Sequence, residues 1–141
     1  MKTKKAWILL ACAVLVAACA ASKKEPPPKP FLGTTWEVVL DLPLPGEQPH
    51  FRFGDGRMEG FGGCNRVDAR FVEDTVGARA VVIGKMEVHR RLCDAAVQRA
   101  ESRMLEVLQS VSSYSITADT MTMTGSGGSL KFRARPEAKA P

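Results

Sequence analysis

Two of the four cysteines and both histidines are the residues of this sequence whose types and spacing could support chemistry. Cys64 lies in the run GFGGCN (residues 60–65), and Cys93 directly precedes an amphipathic segment; the histidines are His50 and His89. A zinc site takes four such ligands, but lone histidines are usually surface residues. A redox pair usually has the Cys-x-x-Cys spacing, which is absent. We therefore expect no metal or cofactor and favour a structural disulfide, with two buried thiols as the alternative.

The N-terminal residues have the pattern of an exported bacterial lipoprotein. Three lysines precede an apolar run, residues 7–18, that is too short for a membrane-spanning helix and ends in small residues. The sequence VAAC at residues 16–19 resembles the lipobox, in which the chain is cut before a cysteine that is then acylated. We expect a signal peptide over residues 1–18 and a lipid on Cys19, with an ordinary cleavage site nearby as the alternative. Ala20 replaces the aspartate that often marks inner-membrane retention, so the resemblance implies the outer membrane and a periplasmic domain.

Export changes the meaning of the net charge and of the cysteine count. The formal net charge is +5, from 20 basic and 15 acidic side chains. Loss of Lys2, Lys4 and Lys5 with the signal peptide leaves 17 basic side chains, 20 less three, against 15 acidic ones. Since no basic run interleaved with aromatic residues remains, we expect no nucleic-acid partner. Cys64 and Cys93 remain in a compartment that permits disulfides.

Composition divides the mature chain into a tether, one domain and a tail. Residues 19–30 contain the lipid attachment site and the proline-rich run SKKEPPPKP. Proline lacks the N–H that a strand needs, and such a run extends as polyproline II, so we expect a spacer between membrane and domain. We place the domain at residues 31–135 and a disordered tail at residues 136–141.

Within the domain, short stretches of alternating apolar and polar residues predict about eight strands joined by tight turns. Residues 36–42 alternate clearly, GDG at residues 54–56 is a hairpin signal, and residues 80–88 are the most β-rich run. Residues 94–110 change to helical spacing, and Asp94 suits the first position. The pattern predicts an α+β, mainly β, fold: a curled antiparallel sheet or small barrel with one helix packed against it.

The glycine-rich run does not have the pattern of a phosphate loop. A phosphate loop needs Gly-x-x-x-x-Gly-Lys-Ser/Thr between a strand and a helix, whereas here a strand follows the glycines and no Lys-Ser/Thr pair follows them. We expect Gly60, Gly62 and Gly63 to supply positive φ or close packing against Trp36 or the helix. Asn65 is expected to tie the turn through its amide.

The sequence contains no pattern typical of a hydrolase active site. A hydrolase triad brings a serine or cysteine, a histidine and a carboxylate together. Two histidines far apart in sequence, without Gly-x-Ser-x-Gly, do not indicate one. We therefore expect that the protein is not an enzyme.

Several stretches, taken in order, resemble the META domain family, which includes the heat-shock lipoproteins called HslJ. The matching stretches are LGTTW at 32–36, the GFGGCN run, LC at 92–93 before the helix, the helix pattern with Glu101, and the closing strands at 114–132. The family's second motif usually reads Thr-Arg-Met-Ala-Cys, whereas HRRLC stands here. The resemblance implies a compact, mostly β fold with one helix, in envelope proteins linked to stress or secretion.

Two functions remain as predictions from the sequence. The first is a non-catalytic binding or interaction module, anchored through acylated Cys19, that engages an envelope protein partner in stress or resistance. The second is a carrier of a lipid or other apolar ligand inside the curled sheet. A cavity lined by Trp36, Phe53, Met121 and Phe132 would favour the carrier, and a filled core would favour the module.

Overall fold

The structure is a computed structural model that describes residues 25–74 and 79–136. The expected signal peptide, Cys19 and the last residues of the expected tail lie outside the described residues. Within the described part of the chain, no helix has the length and apolar character that crossing a membrane requires.

Nine strands and one helix make up the described domain. In chain order they are β1 (Thr35–Val38), β2 (His50–Gly54), β3 (Arg57–Phe61), β4 (Arg66–Asp74), β5 (Ala80–Ile83), β6 (Glu87–His89), α1 (Ala95–Gln109), β7 (Val111–Thr117), β8 (Thr120–Gly125) and β9 (Gly128–Ala134). Every pairing between these strands is antiparallel. The order β3-β2-β1-β9-β8-β7-β5-β4 closes on itself through β3–β4, which confirms the predicted mainly β fold as a closed eight-stranded barrel with one helix.

The period-2 pattern of the strands decides which side chains fill the barrel. In β2, for example, Phe51 and Phe53 point inward and are fully buried, whereas Arg52 between them is exposed. Trp36, Phe132 and the methionines of β3 and β8 join them in one continuous apolar core. Burial of these large side chains supplies the main drive for folding.

The β-rich run at residues 80–88 forms two strands rather than one. β5 pairs with the second half of β4 and β6 with its first half, so both lie along the same edge. Gly84 separates them, and its N–H donates to the Arg70 carbonyl at 2.8 Å. The β-rich composition predicted extended backbone here, but it did not predict the interruption at residues 84–86.

The helix α1 covers one end of the barrel with its apolar stripe. Val97, Met104 and Leu108 are buried, as the helical spacing predicts. Asp94 occupies the N-cap position, but its side chain makes no capping hydrogen bond. The helix ends at Gln109, and β7 begins two residues later.

Aromatic side chains fill the opposite end of the barrel. Phe31, at the end of the tether, stacks on Phe53 and on Tyr114, with ring centroids 4.6 and 4.3 Å apart. The indole N–H of Trp36 donates to the Phe31 carbonyl at 3.1 Å. The tether therefore joins the domain at the end that lies away from the helix.

Tyr114 provides a spectroscopic test of this end of the barrel. The pKa of Tyr114 is raised to about 12, mainly because the side chain is buried. The carboxylate of Glu73, which accepts the phenolic O–H, raises the pKa further. Tyr114 is the only tyrosine, so a pH titration of tyrosinate absorbance reports on it alone. As pH rises from about 10 to 12, Tyr114 ionises in the unfolded chain before it ionises in the folded one, so we expect the folded state to lose roughly 2 kcal/mol of stability. The Tyr114→Phe variant should not show this loss. An ordinary pKa near 10 would contradict this packing.

Candidate functional site

The GFGGCN run forms the hairpin connection between β3 and β4. Phe61, the last residue of β3, pairs with Arg66, the first residue of β4, and residues 62–65 form the loop between them. The Gly62 N–H donates to the Asn65 carbonyl at 2.8 Å, which closes it. Gly63 adopts a φ of +106°, in the region that favours glycine. Gly62 and Gly63 thus lie in a tight turn between two strands.

Glu101 of α1 binds this loop from the other side. Its side chain is buried, and one carboxylate oxygen, Oε2, accepts the backbone N–H groups of Cys64 at 2.9 Å and Asn65 at 2.7 Å. The other oxygen, Oε1, accepts the side-chain amide of Asn65. A carboxylate only accepts hydrogen bonds, so it matches three converging donors. Within residues 25–74 and 79–136, no cationic side chain pairs with Glu101.

The loop is also joined to the segment before the helix. The Asn65 side-chain oxygen accepts the backbone N–H of Arg91 at 2.6 Å. The structure connects Cys64 and Cys93 by a disulfide, with the two Cα atoms 6.0 Å apart. We call the loop at residues 62–65, Glu101 and this disulfide the clamp. The clamp connects the β3–β4 hairpin to both the start and the middle of α1.

Close packing explains the other two glycines. A Cβ at Gly62 would lie 2.5 Å from Glu101 Oε2, and one at Gly60 would lie 2.2 Å from the His50 carbonyl oxygen. The helix is therefore the neighbour that Gly62 packs against, as expected, and Trp36 is not among the nearest atoms. Asn65 does not tie its own turn through its amide; it bridges the turn to α1 and to the segment before it.

Substitution of Gly62 tests the fit between loop and helix. We expect Gly62→Ala to cost roughly 1–3 kcal/mol, because the added methyl group displaces a carboxylate that three donors hold. Gly54→Ala is the matched control, since a Cβ there meets nothing within 4 Å. Chemical denaturation measures both variants. Equal stability of the two variants would show that the Glu101 side chain adjusts freely.

The histidines lie outside the clamp. His89 Nε2 contacts Asp68 Oδ2 at 3.0 Å, and His50 Nδ1 lies 3.0 Å from the Gln48 carbonyl oxygen. With the cysteines joined to each other, the described residues contain no group of three or more His, Cys, Asp or Glu side chains placed to hold a metal ion. The clamp's polar atoms are engaged with one another, which is the arrangement of a structural support.

Glu101 is the member of the clamp whose role was not predicted from sequence. It falls on the buried stripe of α1, four residues after Val97 and three before Met104. A single carboxylate on an apolar helix face is the signal that identifies it, because a buried charge requires partners.

A surface cleft of about 680 Å³ lies on the outer face of β1, β2 and β3. Its lining includes Arg52, Arg66 and Arg91, together with His50 and Phe61. We call it the outer-face cleft. Of these residues, His50, Arg52 and Phe61 occupy outward positions of neighbouring strands, whereas Arg91 lies in the segment before α1.

These features define a small antiparallel β-barrel domain, closed at one end by a helix and fixed there by a disulfide and a buried carboxylate. The chain belongs to the META domain family, whose model matches residues 30–137. The resemblance predicted from the GFGGCN run is thereby confirmed. Among curated proteins, none matches the chain.

Solved structures of similar fold include two bacterial proteins. A protein from Burkholderia xenovorans, solved by NMR, superposes with a TM-score of 0.60 at 16% identity, over 76% of this chain and 85% of that one. A DUF4847 family protein from Bacteroides vulgatus, solved by crystallography, gives a TM-score of 0.55 at 14% identity, over 77% of this chain and 96% of that one. At these identities the likeness extends to the fold alone.

Proposed function

We propose that this META domain is a non-catalytic binding module of the bacterial envelope that acts in stress or resistance through a partner. In this proposal the lipid on Cys19 holds the protein at the outer membrane, and the proline-rich tether positions the domain in the periplasm. The clamp maintains the fold, and binding takes place on the outer surface of the barrel.

The filled interior of the barrel is the observation that carries this proposal. Trp36, Phe53, Met121 and Phe132, the residues that would line a ligand cavity, are all fully buried within one packed cluster. Neither the outer-face cleft nor a second cleft of about 400 Å³ has any of them in its lining. The carrier alternative needs open apolar space inside the sheet, so these contacts favour a module that binds on its surface.

Site-specific cross-linking in cells tests the proposed function. A photoreactive phenylalanine analogue replaces Phe61 in the outer-face cleft, and the matched control places it at Val82, which is 62% exposed on β5. We expect a discrete cross-linked envelope component from position 61 and none from position 82. Identical products from the two positions, or none from either, would contradict binding through this face.

The membrane anchor requires its own measurement. Intact mass of protein extracted from membranes is expected to show cleavage before Cys19 and added acyl chains, because several chains give the stable anchoring that one alone does not. Cys19→Ser provides the control and is expected to retain the signal peptide. An unmodified Cys19 in the wild type would refute the anchor.

A further inference from the structure

The outer-face cleft concentrates positive charge that the domain as a whole does not have. Over the described residues, acidic and basic side chains are equal in number. The cleft is lined by Lys29, four arginines and only two carboxylates, Glu47 and Glu59. An excess of cations in one concave site, on a domain that is neutral overall, raises the local concentration of anions.

Within the part of the chain that the structure describes, three arginines of the cleft form no ion pair with an acidic side chain. Arg135 is compensated, since it pairs with Glu37 at 2.8 Å and with Glu47 at 3.6 Å. Among the described residues, no carboxylate lies within 4 Å of Arg52, Arg66 or Arg91 in an ion pair. These three come from β2, β4 and the segment before α1, so the fold, and not a local charge run, brings them together.

An aromatic side chain lies among these cations. Phe61 points outward from β3 and is only partly buried, and the Arg91 guanidinium carbon lies 6.0 Å from its ring centre. The His50 ring is 6.1 Å from the same ring. The cleft therefore combines guanidinium groups with a patch of apolar surface, and its volume is that of a small-molecule site, typically about 300–1,000 Å³.

We infer that the outer-face cleft binds a compact phosphate-bearing ligand, with the phosphate on Arg52, Arg66 and Arg91 and the carbon portion against Phe61. A phosphate group brings up to two charges and three acceptor oxygens to one point, which suits several guanidinium groups better than a single carboxylate does. Arginine's planar fork matches this geometry. The inference rests on the proposed function and names the chemistry of its ligand.

Calorimetric titration of the full-length protein in non-ionic detergent tests this inference. The probes are inorganic pyrophosphate as a free phosphate, dihexanoyl phosphatidic acid as a lipid headgroup, and citrate as a carboxylate of comparable charge. We expect saturable one-to-one binding of at least one phosphate probe, and weaker binding of citrate. Binding of pyrophosphate alone identifies a free phosphate as the ligand chemistry, and tighter binding of the lipid identifies a headgroup.

Charge-matched variants locate the binding site. Arg66→Gln with Arg91→Gln removes two cleft charges whose side chains make no hydrogen bond in the described structure, and at least about a tenfold loss of affinity is expected. The control, Arg99→Gln with Arg103→Gln, removes two charges from the exposed face of α1 and should change affinity less than about twofold. Glu59→Gln removes a negative charge from the cleft and should strengthen binding of the phosphate probe. A misfolded variant would bind more weakly, so such a gain cannot result from misfolding.

Three results would overturn the inference: no binding of either phosphate probe, citrate binding as tight as phosphate binding, or equal losses in the cleft and control variants. The proposed function fails separately. If position 61 captures an envelope component but no phosphate probe binds, the module stands and its ligand is of another class. If position 61 captures nothing while phosphate binds, the cleft is an anion site and the proposed partner is wrong.

Discussion

Replacement of Glu101 by alanine is expected to lower the free energy of unfolding by about 3–5 kcal/mol. The substitution leaves the N–H groups of Cys64 and Asn65, and the Asn65 side-chain amide, without their buried acceptor. Each buried polar group that loses its partner costs about 1–3 kcal/mol. For a domain of this size the loss is a large part of a total stability of roughly 5–15 kcal/mol.

Two further variants make the Glu101 prediction specific. Glu106→Ala removes a carboxylate from the exposed face of the same helix and should change stability by less than about 0.5 kcal/mol. Glu101→Gln keeps the shape of the side chain, but its amide turns an N–H donor toward the N–H donors of the loop. Its loss of stability should therefore be intermediate between those of the two alanine variants. Urea denaturation followed by circular dichroism measures all three. Equal stability of the Glu101→Ala and Glu106→Ala variants would show that the loop does not depend on this carboxylate.

Loss of the disulfide is the second large effect. The bridge between Cys64 and Cys93 spans 29 positions, and chain entropy predicts about 3–4 kcal/mol for a loop of that length. We expect the double variant Cys64→Ala, Cys93→Ala to lose this amount. Reduction of the wild type should produce a similar loss, and the reductant should leave the double variant unaffected.

Peptide mapping without reductant should link the two cysteines in protein exported to the periplasm. Free thiols there would contradict the bridge. Cys64 also donates its N–H to Glu101, so the disulfide and the carboxylate restrain the same loop. The Glu101→Ala substitution should therefore cost less in the double-cysteine variant than in the wild type, because interacting sites are not additive.

The period of the apolar residues predicted the helix, the fold class and most of the strands. The alternation of apolar residues in β2 predicts one strand and its buried face, and the helical spacing in α1 predicts one helix and its buried face. Both predictions depend on local sequence alone. The split between β5 and β6 is different, because both strands pair with separate parts of β4, which lies elsewhere in the sequence. Sequence periodicity carries no information about such a partner.

The clamp was predicted in part for the same reason. The glycines, the cysteines and Asn65 are conspicuous in the sequence, and the pairing of Cys64 with Cys93 was favoured by the compartment. Their shared acceptor, Glu101, lies 36 residues beyond Asn65, and the sequence identifies it only as part of the helix pattern. The three donors require one shared buried acceptor only because the hairpin brings them together, and this proximity is not visible in the sequence.

The outer-face cleft could not be predicted from the sequence. Arg52, Arg66 and Arg91 are separated by many residues and form no charge run. They share a surface because β2, β3 and β4 are neighbours in the barrel and because the clamp holds the segment before α1 beside them. The clamp therefore positions one residue of the proposed binding cleft, since Asn65 holds the backbone of Arg91.

Hydrogen exchange at the backbone amides of Cys64 and Asn65 tests most directly whether Glu101 holds the loop. In the wild type we predict that both amides exchange only through global unfolding, with protection similar to that of the core amides of β2. In Glu101→Ala both should exchange at least about a hundredfold faster relative to those core amides. Fast exchange of Cys64 and Asn65 in the wild type, or unchanged relative protection in the variant, would contradict the clamp.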